Sequence, residues 1–226
     1  MQESPGRNDR ETGADPLLVF GLGNPGREYE ETRHNVGFRL ADDLCSFCRI
    51  PLHGTSRHAV FGQGRWKNKP VVIVKPLTYM NRSGAAVKEL MDRFSCARDS
   101  ILAVCDDASL PLGQLRFRPG GSSGGQKGLQ SIIEQLGSDD FPRLRLGIGG
   151  APKAMPLEDY VLDRFLPEEE QSLEDMIWKA RDGVLCLLES GVLEAMNRFN
   201  QRIALKLEQE DRDGKAEETG KGGTGA

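Results

Sequence analysis

Short apolar runs alternate with segments of helical periodicity along most of this chain, and this alternation limits the folds open to it. The runs occupy residues 17–23, 60–66, 69–77, 100–107, 113–121 and 143–150, and each is predicted to be a β-strand. Strands that alternate with helices form layered structures around a mixed sheet. We therefore expect an α/β fold: a single compact domain in which helices flank both faces of a twisted mixed β-sheet.

Apolar residues that recur at steps of three and four predict the helices between these strands. Two such stripes are Val36, Leu40, Leu44 and Phe47, and Val87, Leu90, Met91 and Phe94. Asn81 or Ser83 is the candidate N-cap of the second helix. Further helices are expected over residues 128–137, where Gly137 ends the helix, over 167–188 and over 192–205.

The two ends of the chain differ in composition from the rest. Residues 1–15 carry two basic and four acidic side chains, and residues 207–226 carry three basic and six acidic ones. These net charges of −2 and −3 leave +1 for residues 16–206, because the whole chain of 226 residues carries −4. Both ends have little apolar surface to bury, so we expect two disordered tails around one domain over residues 16–206.

Signals for export and membrane insertion are missing from the sequence. No run of about 18 apolar residues is present, and the N-terminal segment lacks the apolar core of a secretory signal. Five cysteines, an odd number, favour reduced thiols in a cytoplasmic protein. Cys45 and Cys48 have a spacing that can suit zinc or redox chemistry, but they lie on the apolar stripe of the first helix, which favours core packing.

The stretch GLGNPG at residues 21–26 follows the first strand and matches the glycine pattern of dinucleotide-binding turns. Such a turn needs a helix that begins at the glycines, whereas REYEETR intervenes here. Pro25 also has no N–H to offer a phosphate. A strand-to-loop turn that places Asn24 at the strand end is therefore favoured over a nucleotide site.

His34 and Asp106 are the candidates for acid–base chemistry. His34 lies near the start of the first helix and Asp106 follows a buried strand, so both can reach one edge of the sheet. A neutral imidazole is a suitable general base, and a carboxylate fixes its tautomer and stabilises the imidazolium. Further ligands at metal-binding spacing are missing around Asp106 and Asp107. The alternatives are a structural histidine, a solvated turn after the strand, and a capping role for Asn81.

Four arginines flank a glycine-rich segment at residues 120–128: Arg116, Arg118, Arg143 and Arg145. A glycine loop that leads into a helix can bind an anion, and arginine is well suited to phosphate. The segment lacks the G-K-[ST] ending of a Walker A loop. The pattern indicates a phosphate-rich ligand, with a solvated strand edge as the alternative.

Together, five motifs resemble those of the bacterial-type peptidyl-tRNA hydrolase family over most of residues 17–200. They are GLGNPGREYEETRHNVGF, KPLTYMNRSG, DDASLPLGQLRFRPGGSSGG, FPRLRLGIG and EAMNRFN. The first is the most specific, because N-P-G, the tyrosine and T-R-H-N stand in the family's order and spacing. The resemblance implies one compact α/β domain that hydrolyses the ester between a peptide and the terminal ribose of tRNA. That reaction recycles tRNA from peptidyl-tRNA that has dropped off ribosomes.

The resemblance also implies roles for individual residues. His34 would be the base that activates water, and Asp106 would orient it. Asn24 and Asn81 would hold the peptide main chain and position the ester. Met80 would form a wall of the peptide cleft.

The same resemblance implies a surface for tRNA. Tyr29 matches a tyrosine that stacks at the tRNA end of the site, and Arg118 and Arg145 match a basic pair that clamps the 5′ phosphate. An ester is already activated, so a base and amide donors suffice, and no cofactor or metal is expected. The expected partner is peptidyl-tRNA, without a membrane, and a monomer is the family's expectation.

Two segments depart from the family pattern. Gln126-Lys127-Gly128 stands where H-N-G is usual, and Lys127 is expected to contact the substrate in place of the asparagine. Cys105 replaces a common histidine, and Ala108-Ser109 replaces the usual L-D. We expect these changes to lie at the rim of the site and to leave an active enzyme. The alternatives are a family member that binds RNA without hydrolysis and a nucleotide-binding oxidoreductase.

Overall fold

Seven strands form one mixed sheet within residues 15–200, the part of the chain that the computed structural model describes. They are β1 (Leu17–Gly21), β2 (Gly54–Thr55), β3 (Ala59–Trp66), β4 (Lys69–Pro76), β5 (Ile101–Asp107), β6 (Leu115–Arg118) and β7 (Arg143–Gly147). Their order across the sheet is β2-β3-β4-β1-β5-β7-β6. The mixed sheet expected from the sequence is confirmed.

Six α-helices connect or follow these strands within the same residues. They are α1 (Val36–Cys48), α2 (Ser83–Phe94), α3 (Lys127–Leu136), α4 (Leu157–Leu162), α5 (Glu170–Ser190) and α6 (Val192–Phe199). Residues in the left-handed conformation end the first three: Arg49 (φ 56°), Ser95 (φ 54°) and Gly137 (φ 64°). The prediction that Gly137 ends its helix is confirmed.

The four central strands, β4, β1, β5 and β7, are parallel, so their carboxyl ends lie at one edge of the sheet. From β1 the chain first builds the β4 side of the sheet and then crosses to β5 on the other side. In open α/β sheets, ligands bind at the carboxyl ends beside such a reversal of strand order. The carboxyl edge next to β1 and β5 is therefore the expected position of a functional site.

Helices cover both faces of the sheet, as the sequence predicts, and enclose two apolar cores. Val19 and Ile73 point into the core beneath α1 and α5, whereas Leu18 and Phe20 point into the core beneath α2 and α3. Successive side chains of a strand alternate between the two faces of its sheet. A strand that is buried on both faces is consequently a continuous apolar run, which explains the sequence of β1.

The prediction that Asn81 or Ser83 caps α2 is wrong. A 3₁₀ turn over Met80–Arg82 precedes the helix, so Arg82 takes the N-cap position without a side-chain hydrogen bond. The Ser83 hydroxyl instead donates to the carbonyl of Met80 at 2.8 Å. Asn81 is left exposed at the carboxyl edge of the sheet.

Other departures from the sequence analysis concern short elements and one aromatic residue. Neither β2 nor α4 is predicted, and they are only two and six residues long. Phe47, expected on the apolar stripe of α1, is 46% exposed, and the guanidinium of Arg181 in α5 lies 4.1 Å from its ring centroid. Cys45 and Cys48 do pack against the core, as predicted, and burial raises the pKa of Cys45 to about 11.

The expected disordered tails fall almost entirely on residues 1–14 and 207–226, which lie outside the described residues. The end of the last predicted helix, over residues 201–205, also lies outside them. No helix within residues 15–200 is long and apolar enough to span a membrane.

Candidate active site

The glycines of the first motif serve the packing of α1 against the sheet. A Cβ atom on Gly21 would lie 2.3 Å from the carbonyl oxygen of Gly37, and one on Gly37 would lie 2.5 Å from that of Leu22. Backbone atoms cannot move aside as a flexible side chain can, so only glycine permits this approach. The close contact brings the turn before α1, which carries His34, to the carboxyl end of β1.

A cleft of about 690 Å³ opens at this carboxyl edge. The loops after β1, β4 and β5, the start of α3, and the short helix α4 form its walls. Polar residues that line it are Asn24, His34, Tyr79, Asn81, Asp106, Asp107, Gln126, Lys127, Arg145, Glu158 and Asp159. A concave site with converging polar groups is the usual form of a binding or catalytic site.

His34 and Asp106 meet inside the cleft. His34 Nδ1 lies 2.9 Å from Asp106 Oδ2, and the two side chains are 10% and 4% exposed. An ionised carboxylate can only accept a hydrogen bond, so in the neutral imidazole Nδ1 carries the proton. The other ring nitrogen, Nε2, then has its lone pair available, as a general base requires.

Gln126 makes a contact with this pair that the sequence analysis missed. Its Nε2 donates to Asp106 Oδ1 at 3.0 Å, and its Oε1 accepts from the backbone N–H of Leu129 at 2.8 Å as the N-cap of α3. Gln126 is 8% exposed. The expectation that the changes from the family pattern lie at the rim is therefore wrong for Gln126, and also for Cys105, which is fully buried in the core.

Three hydrogen bonds hold Asn24, two with Asn35 and one with Met80. Its backbone N–H donates to Asn35 Oδ1 at 2.7 Å, and Asn35 Nδ2 donates back to the carbonyl of Asn24 at 3.0 Å. Its side-chain Oδ1 accepts from the backbone N–H of Met80 at 2.8 Å. Because that N–H can only donate, the amide orientation is fixed and Nδ2 is the group left for a ligand.

Two aromatic residues lie beside the cleft on the β1 and β4 side. Tyr79 lines the cleft and is 57% exposed. Tyr29 is not among the lining residues, but its ring meets that of Tyr79 edge to face, with 6.5 Å between the centroids. Asn81, next to Met80, lines the cleft, and its side chain makes no hydrogen bond within residues 15–200.

Arg145 joins the cleft to the glycine loop. It pairs with Asp107 at 3.1 Å and donates to the carbonyls of Ser122 and Ser123. Burial opposes ionisation of Asp107, but hydrogen bonds from Ser109 and the pairing with Arg145 outweigh it, so its pKa is lowered. The side chain of Arg145 is 14% exposed, and part of its hydrogen-bonding capacity is thus used within the protein.

The four arginines differ in their surroundings because of the register in which β6 pairs with β7. On the β6–β7 pair, Arg116 lies opposite Arg145, and Arg118 lies opposite Arg143. Arg143 is buried and donates to the carbonyls of Gly121, Asp139 and Phe141, so it holds the loop. Arg118 is exposed, its side chain makes no hydrogen bond or ion pair within the described residues, and it is the diagonal neighbour of Arg145 on the same face.

The short helix α4 forms the wall opposite α3. Lys127 Nζ lies 2.6 Å from Glu158 Oε1, which bridges the two helices across the cleft, although both side chains are more than half exposed. The hydrogen bond and charge of Lys127 lower the pKa of Glu158. Leu157, Val161 and Leu162 give this wall an apolar lining.

Arg33, next to His34, fixes α4 in place. Its guanidinium makes a bidentate pair with Glu169, with a shortest distance of 2.6 Å, and donates to the carbonyl of Ile148 at 3.2 Å. It also lies 4.5 Å from the ring centroid of Tyr160 in α4 and 4.8 Å from that of Phe165. The buried guanidinium of Arg33 thus connects the turn that carries His34 with α4 and with the segment just before α5.

Most of the residues selected from the sequence meet in this cleft. Those that line it are Asn24, His34, Met80, Asn81, Asp106, Lys127 and Arg145. Tyr29 and Arg118 are not among the lining residues. The contact of Gln126 with Asp106, the position of Glu158 and the apolar wall of α4 were not predicted from the sequence. Of these, only Gln126 could have been singled out from the sequence, because it stands at a position that departs from the family pattern.

This chain is similar to proteins that share one description. A family model described as peptidyl-tRNA hydrolase matches residues 18–208. A peptidyl-tRNA hydrolase of Methylacidiphilum infernorum is 49% identical over 183 residues, which is 81% of this chain and 97% of the relative. That of Bacillus pumilus is 44% identical over 187 residues, or 83% and 100%. The crystal structure of peptidyl-tRNA hydrolase from Acinetobacter baumannii matches with a TM-score of 0.77 and 34% identity, over 82% of this chain and 95% of that one.

Proposed function

The chain belongs to the peptidyl-tRNA hydrolase family, and from this premise we propose that its cleft hydrolyses the ester between the peptide and the terminal ribose of peptidyl-tRNA. The observation that carries the proposal is the 2.9 Å contact between His34 Nδ1 and Asp106 Oδ2 in the cleft. A fold alone does not determine a reaction, whereas a base held by a carboxylate in a ligand-sized cleft supports one.

His34 is the general base of this proposal. With Nδ1 donating to Asp106, Nε2 takes a proton from a water molecule, whose oxygen attacks the ester carbonyl. Asp106 stabilises the imidazolium that forms. The imidazolium then returns its proton to the ribose oxygen as the bond between that oxygen and the carbonyl carbon breaks. The products are a free peptide carboxylate and tRNA with a free hydroxyl.

Asn24 is the donor for the charge that develops on the ester carbonyl. The backbone N–H of Met80 holds Oδ1 of Asn24 in place, so the N–H groups of Nδ2 are the donors that Asn24 offers to the substrate. Donors that are fixed before the reaction stabilise an oxyanion without reorganisation. This fixed orientation supports a role for Asn24 in the transition state as well as in binding.

The peptide lies between α3 and α4 in this proposal. Met80 and the apolar wall of α4 take its side chains, and Asn81 contacts its main chain. Main-chain recognition suits a substrate whose side chains vary, because an amide side chain can both donate and accept. Lys127, which pairs with Glu158 across the cleft, contacts the peptide when that exposed ion pair opens.

The tRNA lies over the β6–β7 edge. We assign the 5′ phosphate to Arg118 and Arg145, which are diagonal neighbours on one face. Arg145 keeps donors beyond those used by Asp107 and the loop carbonyls, since a guanidinium has five. Tyr29, beside Tyr79, offers a ring on which an unpaired base of the acceptor end stacks.

The proposal extends to the setting in which the enzyme works. Its substrate arises when peptidyl-tRNA dissociates from ribosomes before synthesis is complete, so we assign the enzyme to the cytoplasm and to tRNA recycling. All five cysteines are free thiols, which is compatible with that compartment. The proposal includes a monomer as the working form, which is what the resemblance to the family implies.

Hydrolysis of an N-acetylated aminoacyl-tRNA, compared with the free aminoacyl-tRNA, tests this function. We expect cleavage of the acetylated substrate and little cleavage of the free one, because the blocked amine resembles a peptide bond. Binding of the acetylated substrate without cleavage would overturn the proposal and favour an RNA-binding protein.

A further inference from the structure

Gln126 makes two hydrogen bonds that leave its amide only one orientation. The backbone N–H of Leu129 can only donate, so it must face Oε1, which is 2.8 Å away. Nε2 therefore faces Asp106 Oδ1 at 3.0 Å. Nε2 also lies 3.3 Å from the sulfur of Met80, which limits its movement on the other side.

Asp106 is consequently held through both of its oxygens. Oδ2 contacts His34 Nδ1 at 2.9 Å, and Oδ1 accepts from Gln126. Asp106 is 3% exposed, so water has little access to replace a missing donor. A buried carboxylate that loses one hydrogen bond rotates or moves to regain it, and here such movement displaces the group that orients the base.

We propose that Gln126 is a positioning residue for hydrolysis: by donating to Asp106 Oδ1, it fixes the carboxylate plane that orients His34. This proposal rests on the proposed function of the His34–Asp106 pair. It also connects the site to the glycine loop, because the same amide is the N-cap of α3. A movement of the loop that displaces the N-cap therefore displaces Asp106 too.

The capping and positioning contacts of Gln126 can be separated by substitution. Gln126→Ser keeps a good N-cap acceptor for Leu129 but is too short to reach Asp106. Gln126→Glu keeps the length and the cap acceptor, but two buried carboxyl groups about 3 Å apart cannot both be ionised, so the pair takes up a proton and Asp106 no longer presents its full charge to His34. Gln126→His keeps both contacts, because a neutral imidazole has one donor and one acceptor nitrogen. Gln135→Ser makes the same change as the first variant at an exposed position of α3.

The experiment measures kcat, KM and the melting temperature of these four variants and the wild type on one N-acetylated aminoacyl-tRNA. We expect Gln126→Ser and Gln126→Glu to lower kcat about 10- to 100-fold, the size of a lost hydrogen bond to a charged group. KM should change little, because Gln126 acts through Asp106. Gln126→His should recover most of the kcat, and Gln135→Ser should match the wild type.

Three results would overturn the inference. They are a wild-type kcat in Gln126→Ser and Gln126→Glu, an equal loss in Gln126→His and Gln126→Ser, and an equal loss in Gln135→Ser. Failure of the proposed function is a different result, because then the wild type itself would not cleave the substrate. If Gln126→Ser proves too unstable to assay, Gln126→Glu and Gln126→His still decide between the outcomes.

Discussion

At the scale of single residues, the cleft fixes three of its polar groups through partners that can act in only one direction. The N–H of Met80 sets the amide of Asn24, the N–H of Leu129 sets that of Gln126, and Asp106 sets the proton on His34. Each of these groups is thereby oriented before a substrate binds. Preorganisation of this kind lowers the cost of reaching the transition state.

Asn24→Asp tests the role given to the amide of Asn24. The variant keeps an acceptor for the N–H of Met80 but replaces the Nδ2 donor with an anionic oxygen. We expect kcat on an N-acetylated aminoacyl-tRNA to fall by about 10²–10³-fold, as when one oxyanion donor is removed. Asn68→Asp, in the turn between β3 and β4, makes the same change in charge away from the cleft and should be fully active. A normal kcat in Asn24→Asp would contradict the assignment.

At the scale of elements, the site depends on how the turn before α1 is joined to α4 and the start of α5. Arg33, which is 5% exposed at its side chain, carries this connection through Glu169 and Tyr160. Burial opposes ionisation of Glu169, but hydrogen bonds and charge from Arg33 and the N–H of Leu166 outweigh it, so its pKa is lowered. The pair stabilises the fold only while Glu169 is ionised.

Glu169→Gln should lower the free energy of unfolding by about 2 kcal/mol at pH 7, because it leaves a buried arginine without its counter-charge. A carboxyl group with a lowered pKa contributes stability above its unfolded pKa and loses it as pH falls through the folded one. The difference from the wild type should therefore shrink below about pH 4.

Urea unfolding at pH 7 and below about pH 4 measures the difference in stability between Glu169→Gln and the wild type, with Glu170→Gln as the control. Glu170 is 47% exposed at its side chain and lies 3.4 Å from Arg39, so its loss should matter little. A Glu169→Gln variant as stable as Glu170→Gln at pH 7 would show that Arg33 does not depend on Glu169.

Periodicity predicted the long elements and missed the short or exposed ones, for physical reasons. β1, β5 and α5 bury continuous or periodic apolar residues, which leaves a clear pattern. Helix α4 has only six residues, and several of its apolar side chains line the cleft instead of the core. The prediction of the N-cap of α2 was wrong because a 3₁₀ turn precedes that helix, and residue preferences alone do not predict such a turn.

Part of the site could be assigned from the sequence because its motifs carry the resemblance. His34 and Asp106 are 72 residues apart, and their expected meeting followed from the rule that parallel strands end at one edge. The pairing of Arg116 with Arg145 depends on the strand register, and the contact of Gln126 with Asp106 depends on packing. The local sequence around these residues predicts neither contact.

At the scale of the whole molecule, charge is unevenly distributed. The chain carries a net charge of −4, yet Arg116 and Arg118 project from the edge strand β6 and make no ion pair within residues 15–200. A cationic edge beside a cleft attracts a polyanion and orients its approach. The negative total charge therefore does not argue against tRNA as the substrate.

Arg118→Ala should weaken the binding of peptidyl-tRNA and make it less dependent on salt. Each phosphate contact that is lost reduces the slope of log Kd against log salt concentration by about 1. KM for a short nucleotide ester without the acceptor stem should be unaffected. Arg57→Ala removes an exposed arginine in the turn between β2 and β3, at the edge of the sheet opposite β6, and should leave the slope unchanged. Equal effects of the two substitutions would contradict a phosphate site at Arg118.

The most direct test of the account is the single-turnover rate of His34→Ala on N-acetylated aminoacyl-tRNA, measured together with its Kd for the substrate. We expect the rate to fall by about 10²–10⁴-fold, the usual contribution of a positioned base. Kd should stay close to the wild-type value, because His34 is 8% exposed, whereas Arg118, which is assigned to the phosphate, is exposed. A rate near that of the wild type would show that another group activates the water, and would contradict the central role of the His34–Asp106 pair.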